Sequence, residues 1–426
     1  MRCNLLLPQS ALIATLGSAI VALGASTLDA HGQSPKDRLP MDPITTVTTI
    51  PDPCDNPTTR RWGPTDELGN LNFLTPEKVS ENLGLIRLGK VYNLAHVLEV
   101  GQMGFWAFLD FKSNLGDWPG RGVERSIFNN EETLGNSTYN PGRAGVLQFE
   151  IGTQLDGFNH ATQSGIAYNC FDTRDPENHL LPEGDSGDLP KGNPGDDYIF
   201  RGHKKLGIQN VGTIVARAVL IDVGRLLRER EANAGRDPGL FPPADYEFSP
   251  EELELALLRQ GLTIDDIHPG DALLIRTGWA ARYWTANPAD PRNERLKYLN
   301  IGQDEEFQPG SPGLGARAVQ WTLNRDPVLV SADTKSIEIS NPLAAPRDPA
   351  FAEPGHASWL NSGIYMLEDV DLETLASDCE QERVQDLAED GRTDSSDPSC
   401  YVSTLIVPTI PIMGSGGSTV APVIFR

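Results

Sequence analysis

Between Gln148 and His160 the chain reads QFEIGTQLDGFNH. As an extended strand, its side chains alternate between two faces. Phe149, Ile151, Thr153 and Leu155 point one way, a mostly apolar set suited to a core. Glu150, Gly152, Gln154 and Asp156 point the other way, placing two carboxylates and a carboxamide on one face. The glycine among them leaves room for something to approach. His160 follows four residues after Asp156, past a Gly-containing turn. Hard oxygen ligands stacked along a strand that ends at a histidine suit a metal ion beside a general base. The alternative is a solvated strand face followed by a loop histidine.

The chain has only 7 histidines, so their surroundings can be compared. His31 falls near the end of an N-terminal leader, and His179, His203 and His268 lie in polar, loop-like contexts. His96 sits within an apolar strand and reads as a hydrogen-bonded core histidine. His160 and His356 differ because each has carboxylates at useful spacing. His356 opens a short helix, and Glu368 lies in or just after the strand that follows. A helix packed antiparallel on that strand brings the two side chains to one point. Ile364, Met366 and Glu368 share a strand face, which favours Glu368 over Asp369 as the inward group. No GxSxG elbow, P-loop or HExxH is present. The run from Gly414 to Thr419, GSGGST, lacks the lysine and following helix of a phosphate loop and reads as a turn contacting an anion or substrate.

The elements that must position these groups alternate. Thr75, Pro76 and Glu77 are the cap, first position and first turn of a helix. Lys90 to Val100 reads as a strand, and the aromatics from Trp106 to Phe111 as either core or a ligand-facing strand. Asn129 to Gly145 reads as loop, and the Pro/Gly/Asp-rich stretch from Asp172 to Asp197 as a long insertion such as a rim or lid. Thr213 to Val223, Ala272 to Arg276, Val328 to Ala332, Ile364 to Leu367 and Val402 to Ile410 are buried strands by their β-branched and apolar runs. Ser249 to Glu252 is a capping box opening a helix to about Gln260. A second helix is expected from about Gly315 to Leu323, and Gly363 is expected to end the helix that carries His356. Buried strands alternating with helices predict an α/β domain with a mixed, partly parallel sheet.

The 426 residues are 39% hydrophobic and 22% charged, the balance of a globular chain. A net charge of −24 argues against nucleic acid and anionic membrane surfaces as partners. Arg2, the apolar run Ala11 to Ala25 and the small residues after it read as a signal peptide over residues 1–30. Residues 31–60 then read as a linker or arm, and 61–426 as one catalytic domain. This predicts a secreted or periplasmic protein, off the membrane once the signal is cleaved. In that oxidising setting Cys54, Cys170, Cys379 and Cys400 are an even set able to form disulfides. Cys379 and Cys400 bracket an acidic segment, 380–399, expected to be a surface loop closed by a bridge.

GTQLDGFNH resembles the signature of the cyclase family of metal-dependent hydrolases, which includes bacterial kynurenine formamidase and isatin hydrolase. The commonest form of that signature is His, three residues, His, one, Asp, three, His; here Glu150, Gln154, Asp156 and His160 fill the same spacing. His356 and Glu368 stand twelve positions apart, as the family's later His and Glu do, inside HASWLNSGIYMLEDVDLETL. RRWGPTDELGNLNFLTP is similar to the N-terminal segment of its longer members. TIVARAVLIDV, DALLIRTGW, VSADTKSIE and the tail from Pro411 to Pro422 follow in family order, so the resemblance covers nearly everything from Arg61 to Phe425.

The resemblance implies a swivelling β/α/β-type fold that cleaves amide C–N bonds with metal-activated water. It implies one or two divalent ions, manganese or zinc, held by Asp156, His356 and Glu368 with Gln154 and Glu150 assisting. His160 would be the general acid/base. Gln154 and Glu150 stand where most members have histidine, and an oxygen-rich set shifts preference toward manganese or another hard ion. Trp62, Phe105, Trp106 and Phe158 are candidates for an aromatic pocket taking an aryl amide, a cyclic imide or a lactone, although each is also an ordinary core aromatic. Thr334, Ser336 and the Gly414 to Thr419 turn are candidates for polar contacts. The expected partner is a small-molecule substrate, and the expected assembly a homo-oligomer, a dimer or tetramer. Two other readings use the same fold: a non-catalytic extracytoplasmic small-molecule-binding protein, and a polyketide-type cyclase.

Overall fold

Four short apolar strands form the centre of a sheet in the computed structural model of the chain. The structure describes Cys54, residues 61–97, 152–178, 203–237, 242–279, 311–339, 354–390 and 400–426, save a few single positions, and four short strands between 127 and 144. The described residues all fall within one compact unit, 43–426. The leader expected over 1–30 lies outside the described residues, as does most of the arm expected over 31–60.

In chain order, the strands of the large sheet are β1 (Val91–Asn93), β2 (Gln154–Asp156), β3 (Ile214–Ile221), β4 (Ala272–Ile275), β5 (Leu329–Ala332), β6 (Tyr365–Glu368), β7 (Val402–Val407), β8 (Gly417–Thr419) and β9 (Val423–Phe425). The helices are α1 (Pro76–Leu83), α2 (Val223–Asn233), α3 (Pro250–Arg259), α4 (Ala316–Leu323), α5 (Pro354–Asn361) and α6 (Glu373–Asp390). The sheet order is β1-β9-β7-β3-β4-β5-β6-β2-β8. Strands β3, β4, β5 and β6 run parallel, and every other pairing is antiparallel. This is the expected α/β architecture with a mixed, partly parallel sheet.

Composition explains the centre. Every residue of β4, β5 and β6 is buried, so these strands are covered on both faces and are apolar without alternation, save Ser331 and Glu368. Burying each Leu, Ile or Val fully is worth about 1.5–3 kcal/mol, which makes this run the main stabilising block. The helices obey their caps. The Thr75 hydroxyl accepts from Lys78 N with Pro76 at the first position, and Ser249 and Glu252 complete a reciprocal capping box. Gly363 ends α5 in the left-handed region at φ 77°, and its carbonyl accepts the Asn70 N–H at 2.7 Å.

Three expectations need correction. Of the strand expected from Lys90 to Val100, the described residues are paired over Val91–Asn93 and bridged from Ala95 to Val370. The stretch from Asn129 to Gly145, expected as loop, contains paired strands: Ile127–Asn129 with Gly142–Ala144, and Glu132–Leu134 with Ser137–Tyr139. Short two-stranded ribbons need little apolar periodicity, so polar composition did not mark them. The acidic segment 380–399 is not all loop, because α6 continues through Asp390. Arg259 and Arg383 both grip Glu380 there, giving its acidic run local partners.

Two disulfides brace the chain. Cys379 bonds Cys400 across 21 positions, and Cys54 bonds Cys170 across 116. Cys379→Ser is expected to lower stability by about 3 kcal/mol on the loop-closure model, measured by denaturant unfolding of the oxidised protein. Burial pushes Glu380 up, but hydrogen bonds from Arg259 and Arg383 outweigh it and bring its carboxyl down to about 2. Its stabilisation is therefore present above the ordinary carboxylate range and lost as pH falls toward 2. Glu380→Gln is expected to lower Tm at pH 7, with the gap to wild type closing between about pH 4.5 and pH 2.

Candidate metal centre

The register between β2 and β6 builds the site. Met366 lies opposite Asp156 and Glu368 opposite Gln154, in antiparallel pairing. Asp156 and Gln154 share a face of β2, and Glu368 ends β6 beside them. Gln154 Nε2 donates to Glu368 Oε2 at 3.1 Å, which turns the amide nitrogen toward Glu368 and leaves Oε1 as the atom it could offer a cation. Helix α5 supplies His356, whose Nε2 lies 3.3 Å from Glu368 Oε1. Glu368 marks the C-terminal end of the parallel strands, where open α/β sheets bind ligands.

His160 enters from the turn after β2. Its N–H donates to Gly157 O at 3.0 Å, and Gly157 N donates to Gly416 O at 2.6 Å. Strand β8 flanks β2 with Gly417 opposite Asp156, so the Gly414 to Thr419 segment lies along the site's edge. His160 Nδ1 is 4.0 Å from Asp156 Oδ1, and the His160 and His356 rings are 5.8 Å apart. Asp156, His160 and His356 each present a ligand atom within 4.8 Å of the others. Glu338, His356 and Glu368 form a second such group.

The electrostatics are lopsided. Asp156, Glu338 and Glu368 are all buried around one imidazole. Burial pushes Glu368 well above the carboxylate range, and the nearby Asp156 and Glu338 carboxylates add to it against the pull of His356. Burial opposes charge on His356 too, yet Glu338, Glu368 and Asp156 outweigh it and hold the imidazole well above its usual range. Glu338 Oε2 and Glu368 Oε1 are buried with no hydrogen-bond donor among the described residues. Uncompensated carboxylates inside a protein cost several kcal/mol each. A divalent cation is the group that such a donor set fits.

A neighbouring cluster steadies β6. The Thr153 hydroxyl donates to Asp369 O at 2.6 Å and accepts the His96 N–H at 2.9 Å. His96 Nε2 lies 3.7 Å from Asp369 Oδ1. His96 is thus a buried, partnered histidine beside the site. Asp369 is held at φ 55°, a left-handed conformation of the kind that clusters at functional sites.

The structure brings Asp156, Gln154, His160, His356 and Glu368 together. Glu150, Phe105 and Trp106 lie outside the described residues. Two aromatic candidates need correction. Trp62 packs edge-on against Phe73 at 4.9 Å, and Phe73 abuts Gly270, just before β4. Arg61 likewise bonds Asp326, just before β5. Trp62 therefore sits at the N-terminal edge of the parallel strands, opposite Glu368. Phe158 has no exposed surface; it stacks on Tyr365 at 4.2 Å and lies 4.8 Å from Tyr168, a core position. Thr334 is buried near the site, but its hydroxyl donates to Ser336 O and shapes the turn after β5. Glu338 was not among the expected site residues. It closes the segment VSADTKSIE, and that placement was the available signal, although nothing in the spacing links it to His356.

Comparison with known proteins follows the same lines. The Cyclase family model, described as "Putative cyclase", matches residues 92–339. No curated protein sequence matches the chain. Among solved structures, a novel cyclase is 24% identical, with 86% of this chain and 96% of that chain covered and a TM-score of 0.57. Isatin hydrolase A from Ralstonia solanacearum is 18% identical, with coverage of 82% and 98% and a TM-score of 0.44. A potential metal-dependent hydrolase with cyclase activity is 12% identical, with coverage of 79% and 98% and a TM-score of 0.36. The family model spans more than half of the 426 residues, and the chain belongs to the cyclase family.

Proposed function

We propose that the protein is a metal-dependent hydrolase cleaving the C–N bond of a cyclic or aryl amide, with lactone hydrolysis as the nearest variant of the same chemistry. The observation that carries this is the convergence of Asp156, His160 and His356 within 4.8 Å, against the buried Glu368. Asp156, His356 and Glu368 hold the ion, with Gln154 Oε1 as a further neutral oxygen. When bound, the ion supplies Lewis acidity that polarises the carbonyl and acidifies water. The oxygen-rich donor set favours manganese over zinc.

Exposure divides the labour. The side chains of Asp156, Glu368 and His356 are 0%, 2% and 6% exposed, whereas that of His160 is 12% exposed. His160 is the member at the mouth, placed to exchange protons with an arriving substrate. It takes a proton from water as the C–O bond forms and gives it to the nitrogen as the C–N bond breaks, leaving a carboxylic acid and an amine. Imidazole can both accept and donate a proton, which suits both transfers. The two disulfides support the companion proposal of export to an oxidising compartment.

Purified protein is expected to hold a divalent ion at one or two per chain by elemental analysis. Asp156→Asn is expected to lose it, and a wild-type protein with no stoichiometric ion overturns the reading. In an amide panel with added Mn²⁺ or Zn²⁺, His160→Ala is expected to keep the ion yet lose about 10²–10⁴-fold in kcat. Undiminished turnover in that variant would remove His160 from its role.

A further inference from the structure

We propose that Glu338 is a positioning residue that clamps His356, fixing both its backbone and its ring so that Nε2 is the nitrogen presented to the ion. This rests on the metal-dependent reading above.

Three observations carry it. Glu338 Oε1 accepts the His356 backbone N–H at 3.0 Å, near the start of α5. The same oxygen is in hydrogen-bond contact with His356 Nδ1. One carboxylate oxygen therefore holds both ends of a single residue, with the ring bond directed to Nδ1 and Nε2 left facing Glu368. Gly355 makes the approach possible. A Cβ there would stand 2.6 Å from Trp359 Cζ3, 2.7 Å from Glu338 Cδ and 2.8 Å from its Oε2, so a side chain would displace the carboxylate, the indole or both.

Glu338 hydrogen-bonds Nδ1, the nitrogen facing away from Glu368, so it acts as a support for the ligand. A carboxylate on the far nitrogen of a ligating histidine fixes the tautomer and makes the near nitrogen a better donor. Burial strengthens the effect, since Glu338 is 1% exposed and its charge is little screened. The backbone bond adds a second constraint, because rotation of the first turn of α5 would break it.

The test compares ion affinity with fold. Wild type, Glu338→Gln, Glu338→Ala and Gly355→Ala are prepared ion-free, and each is titrated with Mn²⁺ and Zn²⁺ against a chromophoric chelator. Glu338→Gln keeps a neutral acceptor but loses the charge, and is expected to weaken binding about 10-fold; Glu338→Ala removes both bonds and is expected to weaken it about 100-fold. Gly355→Ala keeps the charge but crowds both the carboxylate and the Trp359 ring, so a loss there supports the clamp when its ion-free thermal unfolding matches wild type, even if the Glu338 variants fold poorly. Circular dichroism and thermal unfolding of the ion-free proteins show which variants are folded. In ¹⁵N-histidine spectra of the zinc-loaded wild type, His356 is expected to carry its proton on Nδ1. Wild-type affinity in folded Glu338→Ala, or a proton on Nε2, overturns the clamp alone. A wild type that takes up no ion overturns the metal reading and the clamp with it.

Discussion

The site depends on the antiparallel register of two short strands. Pairing Asp156 with Met366 and Gln154 with Glu368 sets the carboxyl-bearing residues side by side at the end of a parallel sheet. A slip of one residue would turn Asp156 into the core and Leu155 into the site, because side chains alternate. Leu155 is fully buried, so the apolar side of β2 anchors the polar side. Hydrophobic packing thus holds a set of charges that would otherwise repel one another.

That repulsion is handled locally. Around His356 stand Glu338, Glu368 and Asp156, and the imidazole is held well above its usual range by them. Away from the site, Arg276 gathers two acids. Arg276 bonds Asp222 at 2.7 Å and Glu373 at 2.7 and 3.0 Å. Asp333 accepts from Thr277 N, Thr277 Oγ1 and Gly278 N, and sits at about 6 because burial and Glu373 push it up against Arg276. The contrast is informative. Around Arg276 acids meet an arginine; at the centre, Glu338 and Glu368 meet one histidine, and each keeps an oxygen with no donor among the described residues.

Much of this was legible in the sequence, for physical reasons. The central strands are continuous apolar runs, and the capping residues at Thr75 and Ser249 mark helix starts by local chemistry. Alternation within QFEIGTQLDGFNH separated Leu155 from Gln154 and Asp156, and the His356–Glu368 spacing crossed one helix-to-strand turn. What was not legible depends on long-range contact. Trp62 and Phe158 look alike in sequence as aromatic candidates; the sheet's direction places Trp62 at the far edge, and stacking on Tyr365 places Phe158 in the core. Glu338 meets His356 across 18 positions through a turn after β5, a relation without periodicity. The helix that carries Cys379 past Glu380 reads as an acidic loop until Arg259 and Arg383 are seen to hold it.

The position of β2 between β6 and β8 has a consequence for the order of assembly. Its two neighbours come from far later in the chain, Tyr365–Glu368 and Gly417–Thr419, although β2 itself ends at Asp156. During synthesis the ribosome must add more than two hundred and fifty residues after Asp156 before its strand has both partners. The turn bearing His160 leans on Gly416, so it too waits for that last segment. The edge of the site is therefore completed only after the segment Gly417–Thr419 has been made.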